Sequence, residues 1–229
     1  MARSAADPLA LALGLAFAAQ LHQYRRETHR TRELAEAAVT LSDERGYPLY
    51  QAWGVILQGW ALAEEGSHEE GIAQIREGLI AHEATGAALG RPTLLALLAD
   101  ACGKAGQAEA GLLVLNDALA LASKTGERFH EPTLIRLKGE LMLRLAAGKE
   151  ASSCAQEAEA CFQTAISIAR VQGARSVELQ IALSLAQLWQ RQGKFAAARE
   201  VLTGILGSFT EGFDTVDWLQ ANTLLADLS

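Results

Sequence analysis

LLALLADACGKAGQAEAGLLVLNDALALASKTG, residues 94–126, is the stretch whose reading decides the fold. Leucines and alanines recur every three or four residues on both sides of Gly106, the spacing of a helix with a buried stripe. Gly106 and Gly126 each follow a polar helix end, where a residue without a Cβ can take the left-handed conformation that stops a helix. The stretch reads as helix, turn, helix, turn.

The same punctuation runs in both directions. Glycines stand at Gly46, Gly66, Gly86, Gly106 and Gly126, 20 residues apart, and then at Gly148, Gly173, Gly193 and Gly212. One beat is a helix and its turn, so two beats make a helical hairpin of about 40 residues. The expected hairpins are 8–45, 48–85, 91–125, 131–172 and 175–208, with a capping helix over 214–228. Such hairpins bury their apolar faces only by stacking on one another, and no linker interrupts them, so a single domain over 1–229 is expected.

Composition agrees with an all-α chain. Half of the 229 residues are hydrophobic, and only four are proline. A net charge of −7 argues against a nucleic-acid surface, which presents a basic stripe. Cys102, Cys154 and Cys161 follow no disulfide framework or zinc spacing, which suggests reduced thiols in a cytoplasmic protein. PLALALGLAFAAQ, residues 8–20, has the look of a signal-peptide core, with Ala16-Phe17-Ala18 as a cleavage pattern. Asp7 and Pro8 interrupt its start, it is too short to span a bilayer, and it leads into LHQYRRETHR. A core helix is therefore expected there, and no membrane association.

Small and bulky residues inside the hairpins resemble the tetratricopeptide repeat (TPR). Gly59, Leu62, Gly66, Gly71, Ile75 and Gly78 fill successive signature positions in the second hairpin. Leu185, Ala186, Trp189, Gly193, Ala198 and Leu202 do so in the fifth, and Ala158, Phe162 and Ala165 match in the fourth. The resemblance implies a right-handed superhelical solenoid whose first helices line a concave groove. The strings LHQYRRE, AWGVILQGWALAEEG, EGIAQIREGL, GRPTLLALLADACGKAG, TGERFHEPTLIRLKGEL and AREVLTGILGSFTEGFDTVD resemble a narrower group. They look like the C-terminal repeat tail of bacterial signalling proteins that carry a class III adenylate/guanylate cyclase domain and an AAA-type ATPase domain. That likeness implies a regulatory or recruiting tail, or a fragment of one, whose partner is a peptide, a protein segment or the adjacent ATPase or cyclase domain.

The chemistry of those domains does not carry over. No G-x-x-x-x-G-K-[ST] occurs; Ala147-Gly148-Lys149-Glu150 lacks the upstream Gly and the Ser or Thr that would cradle phosphate and Mg²⁺. GERFHEPTLIRLKGELML, 126–143, gathers His130, Glu131, Arg136, Lys138 and Glu140, yet reads as one turn and one helix. The five histidines fall in different hairpins or on turns, and Glu64-Glu65 and Glu69-Glu70 flank a turn where acids favour a helix N-terminus. A non-enzyme without cofactor or metal is expected.

The TPR frame assigns groove positions. They are Trp53, Ile56, Trp60 and Glu64; Thr93, Ala96, Asp100 and Lys104; Thr133, Arg136, Glu140 and Arg144; and Gln180, Leu183, Gln187, Gln190 and Arg191. Trp53 and Trp60, seven apart, share a helix face and are either groove anchors or core. Arg136 and Arg144 share another, as a carboxylate clamp or as solvated arginines paired with Glu140. The expected function is a scaffold that binds a peptide or protein segment; a small-molecule sensor is the alternative.

Overall fold

Every beat glycine in the described residues has a positive φ: 70° at Gly46, 98° at Gly66, 75° at Gly86, 76° at Gly106 and Gly126, 68° at Gly173, and 75° at Gly193 and Gly212. The computed structural model of the chain describes residues 7–146 and 151–228, with the backbone alone at 151 and 152. Gly148 and the Gly148-Lys149 segment lie outside the described residues.

Eleven helices and no strand occupy the described residues. They are α1 (Pro8–Tyr24), α2 (Thr28–Arg45), α3 (Pro48–Glu64), α4 (His68–Ala84), α5 (Arg91–Lys104), α6 (Ala108–Thr125), α7 (Glu131–Leu145), α8 (Ala151–Gln172), α9 (Arg175–Arg191), α10 (Phe195–Leu206) and α11 (Val216–Asp227). All four prolines sit at the first or second helical position, where no N–H is needed. Five of the turns close with the same bond, from an N–H to the carbonyl five residues back. The pairs are Glu27 to His22, Tyr47 to Ser42, Ser67 to Leu62, Ala174 to Ala169 and Lys194 to Trp189, at 2.8–3.0 Å.

The chain divides into two compact units, Met1–Ala105 and Gly106–Ser229. The first contains α1 to α5. Its centre is α3, which packs on α2, α4, α1 and α5. Glycines let these helices meet backbone to backbone: a Cβ at Gly71 would lie 2.5 Å from the Gly59 carbonyl oxygen, and one at Gly78 2.5 Å from Ile56 Cγ1. Ile56, Leu57, Ile75 and Leu94 are buried in the resulting core. The core-helix expectation for 8–20 needs correcting. α1 buries Ala12, Ala16 and Ala19 but leaves Leu9, Leu11, Leu13, Phe17 and Leu21 exposed. Its small residues, not its large ones, admit the neighbouring helices.

The second unit contains α6 to α11. Phe162 is fully buried between Ala158 and Ala165 and fills the space left by Gly139, where a Cβ would come 2.8 Å from its ring. Helix α9 buries two faces. Ile181, Leu185 and Leu188 meet α8, and Leu179, Ala182 and Ala186 meet α10 and α11. The carboxylate of Glu178, 2% exposed, joins α8 to α9 through Arg170 at 2.6 Å and is also held by Arg175 at 3.0 Å. Among the described residues, no helix is long and apolar enough to cross a membrane.

Candidate binding surfaces on the first helices of the hairpins

In the first unit α1 and α3 are the first helices of the hairpins they form with α2 and α4, and α5 packs on α3 and α4. Trp53, half-buried, donates its indole N–H to Gln20 Oε1 at 3.0 Å, and its ring lies 5.1 Å from that of Phe17 at 58°. Trp53 is therefore clamped from two sides on α1. Trp60 is 3% exposed, which fits the core reading of that residue, and Ile56 is fully buried, which corrects its assignment to the groove. The cause is that α3 is covered on both flanks: Gly54, Gly59 and Gly78 bring α2 and α4 so close that positions 56 and 60 face protein. Thr93 and Ala96 are buried as well.

At the C-terminal ends of α3 and α5 the candidates Glu64, Asp100 and Lys104 come together. Lys104 Nζ donates to Glu64 and, at 2.6 Å, to Asp100 Oδ2. Burial alone would lower the pKa of this ammonium group. The two carboxylates outweigh it, by charge and by hydrogen bond, and hold the pKa above its ordinary value.

In the second unit a polar chain crosses α7, α9 and α11. Arg136 Nη1 donates to Glu140 Oε1 at 2.6 Å, and Ser184 Oγ donates to the same oxygen at 2.6 Å. Ser184 lies 3.2 Å from the carbonyl of Gln180, and Gln180 Nε2 donates to Asp217 Oδ2 at 2.7 Å. Asp217 is 6% exposed. Glu140 and Ser184 are 44 residues apart, one period along the array, and Gln180 and Asp217 are 37 apart. α11 thus supplies the next rung after α9. Beyond this chain Arg144, Gln187 and Arg191 are exposed and Gln190 and Thr133 partly so, whereas Leu183 is buried.

Sequence reading missed Gln20, Phe17, Ser184 and Asp217. One 40-residue period beyond Glu140 falls on Gln180, already among the groove positions, and not on Ser184; Gln20 was hidden because its role depends on the approach of α1 to Trp53.

Two of the histidines away from these surfaces belong to turns. His22 hydrogen-bonds to Glu27, which also accepts from Arg25 at 2.6 Å. His130 caps α7 and stands edge-on to Phe129, with ring centroids 4.7 Å apart. The Cys102 and Cys161 thiols are pushed up in pKa, in each case chiefly by burial, the reverse of what activates a nucleophile. Among the described residues, no group of three His, Cys, Asp or Glu side chains is placed to hold a metal ion.

No family model matches the chain, and no curated protein does either. Solved structures do. A Podosopora anserina kinesin light chain-type protein of nearly identical TPR-like repeats aligns over 97% of this chain and 98% of its own, with TM-score 0.52 and 18% identity. A substituted form of that protein aligns over 84% and 91%, with TM-score 0.52 and 20% identity. At this identity the likeness shows the fold: an all-helical, TPR-like repeat array.

Proposed function

We propose that the chain is a non-catalytic scaffold that binds a peptide or protein segment along the face formed by α7, α9 and α11. The observation that carries this reading is the chain Arg136–Glu140–Ser184–Gln180–Asp217. Its members hold one another, so the face is fixed before any partner arrives and little ordering is needed on binding. The exposed Arg144 and Arg191 beside it supply guanidinium groups suited to a carboxylate. An extended peptide bearing acidic side chains is the matching partner.

The likeness of the six sequence strings to cyclase-linked repeat tails supports a further assignment: a regulatory or recruiting tail in a bacterial signalling protein, acting in the cytoplasm, with an ATPase or cyclase domain as a client. Isothermal titration with acidic peptides tests the binding reading. Saturable binding that the substitutions Arg144→Glu and Arg191→Glu weaken at least tenfold, with melting unchanged, supports it. Nucleotide hydrolysis or cyclisation by the purified chain contradicts the non-catalytic reading.

A further inference from the structure

α1 is the one described helix without an Asp, Glu, Lys or Arg. It packs on α2 and α3 through alanines and Gln20, with one side of the Phe17 ring against Trp53, and leaves its large side chains substantially exposed. Leu9, Leu13, Phe17 and Leu21 recur every four residues, with Tyr24 three further on, and each is 37–57% exposed. This is one continuous row on one side of the helix. Soluble chains rarely leave an apolar surface of this extent in water unless it is an interaction site.

We propose that the outer face of α1 is a homodimerisation surface, closed by antiparallel pairing with α1 of a second copy. Three observations select a second copy as the occupant. The chain carries a net charge of −7, so like copies repel over most of their surface, and α1 is where that repulsion is least. The row is self-complementary about a two-fold axis near Leu15: Leu9 meets Leu21 of the second copy, and Leu13 meets Phe17. The same register brings Asp7, which caps the start of α1, toward the Arg25–Arg26 end of the other copy and sets the two helix dipoles antiparallel. Pairing through a single helix row places the interface at the small end of the specific range, which starts at about 1,000 Å² of total buried surface. A weak, concentration-dependent dimer is the expected result. It is separate from the α7–α9–α11 face and does not depend on peptide binding.

Sedimentation equilibrium of the full chain at tens of micromolar tests this. The wild type should approach twice its 24.4 kDa mass. Leu13→Glu combined with Leu21→Glu should stay at the single mass, with circular dichroism and melting unchanged. Phe195→Glu, at an exposed residue on α10, should leave the dimer intact. For the register, chains carrying Leu9→Cys should cross-link by oxidation with chains carrying Leu21→Cys, and far less with themselves. A wild type that remains monomeric overturns the proposal, even if another protein binds α1. So does a dimer that survives the double substitution, or Leu9→Cys chains that cross-link efficiently with each other.

Discussion

Arg26 and Gly46 perform the same backbone task 20 residues apart: both end a helical turn in the left-handed region, with φ of 60° and 70°. Arg26 is the one described non-glycine residue with positive φ, and it occupies the place where the 20-residue beat calls for a glycine. For a residue with a Cβ this conformation costs roughly 1–2 kcal/mol. Arg26→Gly should therefore raise stability by about 1 kcal/mol, after allowing for the extra freedom of the unfolded chain. Gly46→Arg should lower it by a similar amount. Urea unfolding of the two variants checks both signs.

Two helical glycines should respond oppositely to the same change. A methyl group at Gly71 would lie 2.5 Å from a backbone oxygen of α3, an atom that moves only if the helices part. Gly71→Ala should cost about 1–3 kcal/mol. Gly204 in α10 has nothing within 4 Å of the corresponding position. Gly204→Ala should stabilise by up to about 1 kcal/mol through helix propensity. Thermal melts of the pair separate packing from propensity.

His82 sets a pH limit on the first unit. It is 1% exposed, and burial, followed by the nearby Arg91 charge, holds its pKa below the ordinary 6.5. The native chain keeps the imidazole neutral while the unfolded chain takes up a proton near 6.5. Its contribution is complete above that pH and declines as the pH falls below it, until the native imidazole also protonates. His130, lowered chiefly by burial with Glu127 opposing, acts in the same direction. Carboxylates such as Glu27, held below 4.5 by its hydrogen bonds from His22 and Arg25, lose their contribution only at lower pH. The melting temperature should drop by a few degrees between pH 7 and about pH 5, and His82→Leu should flatten that drop.

Lys104 joins α3 to α5 through two carboxylates that are each only 20% exposed. Lys104→Met leaves Glu64 and Asp100 as neighbouring partly buried anions and should cost roughly 1–3 kcal/mol. Breaking the Arg30–Glu33 pair, whose side chains are 56% and 47% exposed and screened by solvent, should cost far less. Denaturant midpoints of Lys104→Met and Arg30→Ala give the comparison directly.

The helices were legible because their ends are marked chemically. Glycine ends eight of the described beats and proline starts four helices, so the boundaries read from sequence fall within two or three residues of those observed. The candidate site was only partly legible. A periodic pattern says which residues share a face, but not how many faces a helix buries; α3 buries Ile56 and Trp60 because Gly54 and Gly59 admit helices on both sides. α1 misleads in the opposite way, since its apolar sequence suggests burial while its buried contacts are made by alanines and Gln20 and most of its large side chains stay exposed. Contacts between successive first helices, Glu140 with Ser184 and Gln180 with Asp217, depend on stacking offsets of 44 and 37 residues that no local pattern encodes. Arg26 shows a beat kept by the backbone without a glycine.

Recognition of a peptide or protein segment by the α7–α9–α11 face is open to direct measurement. The direct measurement is selection of displayed peptides on the immobilised chain, followed by titration of the enriched peptide against wild type and the double variant Arg144→Glu, Arg191→Glu. Enrichment of acidic peptides, with Kd weakened at least tenfold in a variant whose melting is unchanged, is the predicted result. No enrichment over a blank surface, or an equal Kd for both proteins, would contradict it.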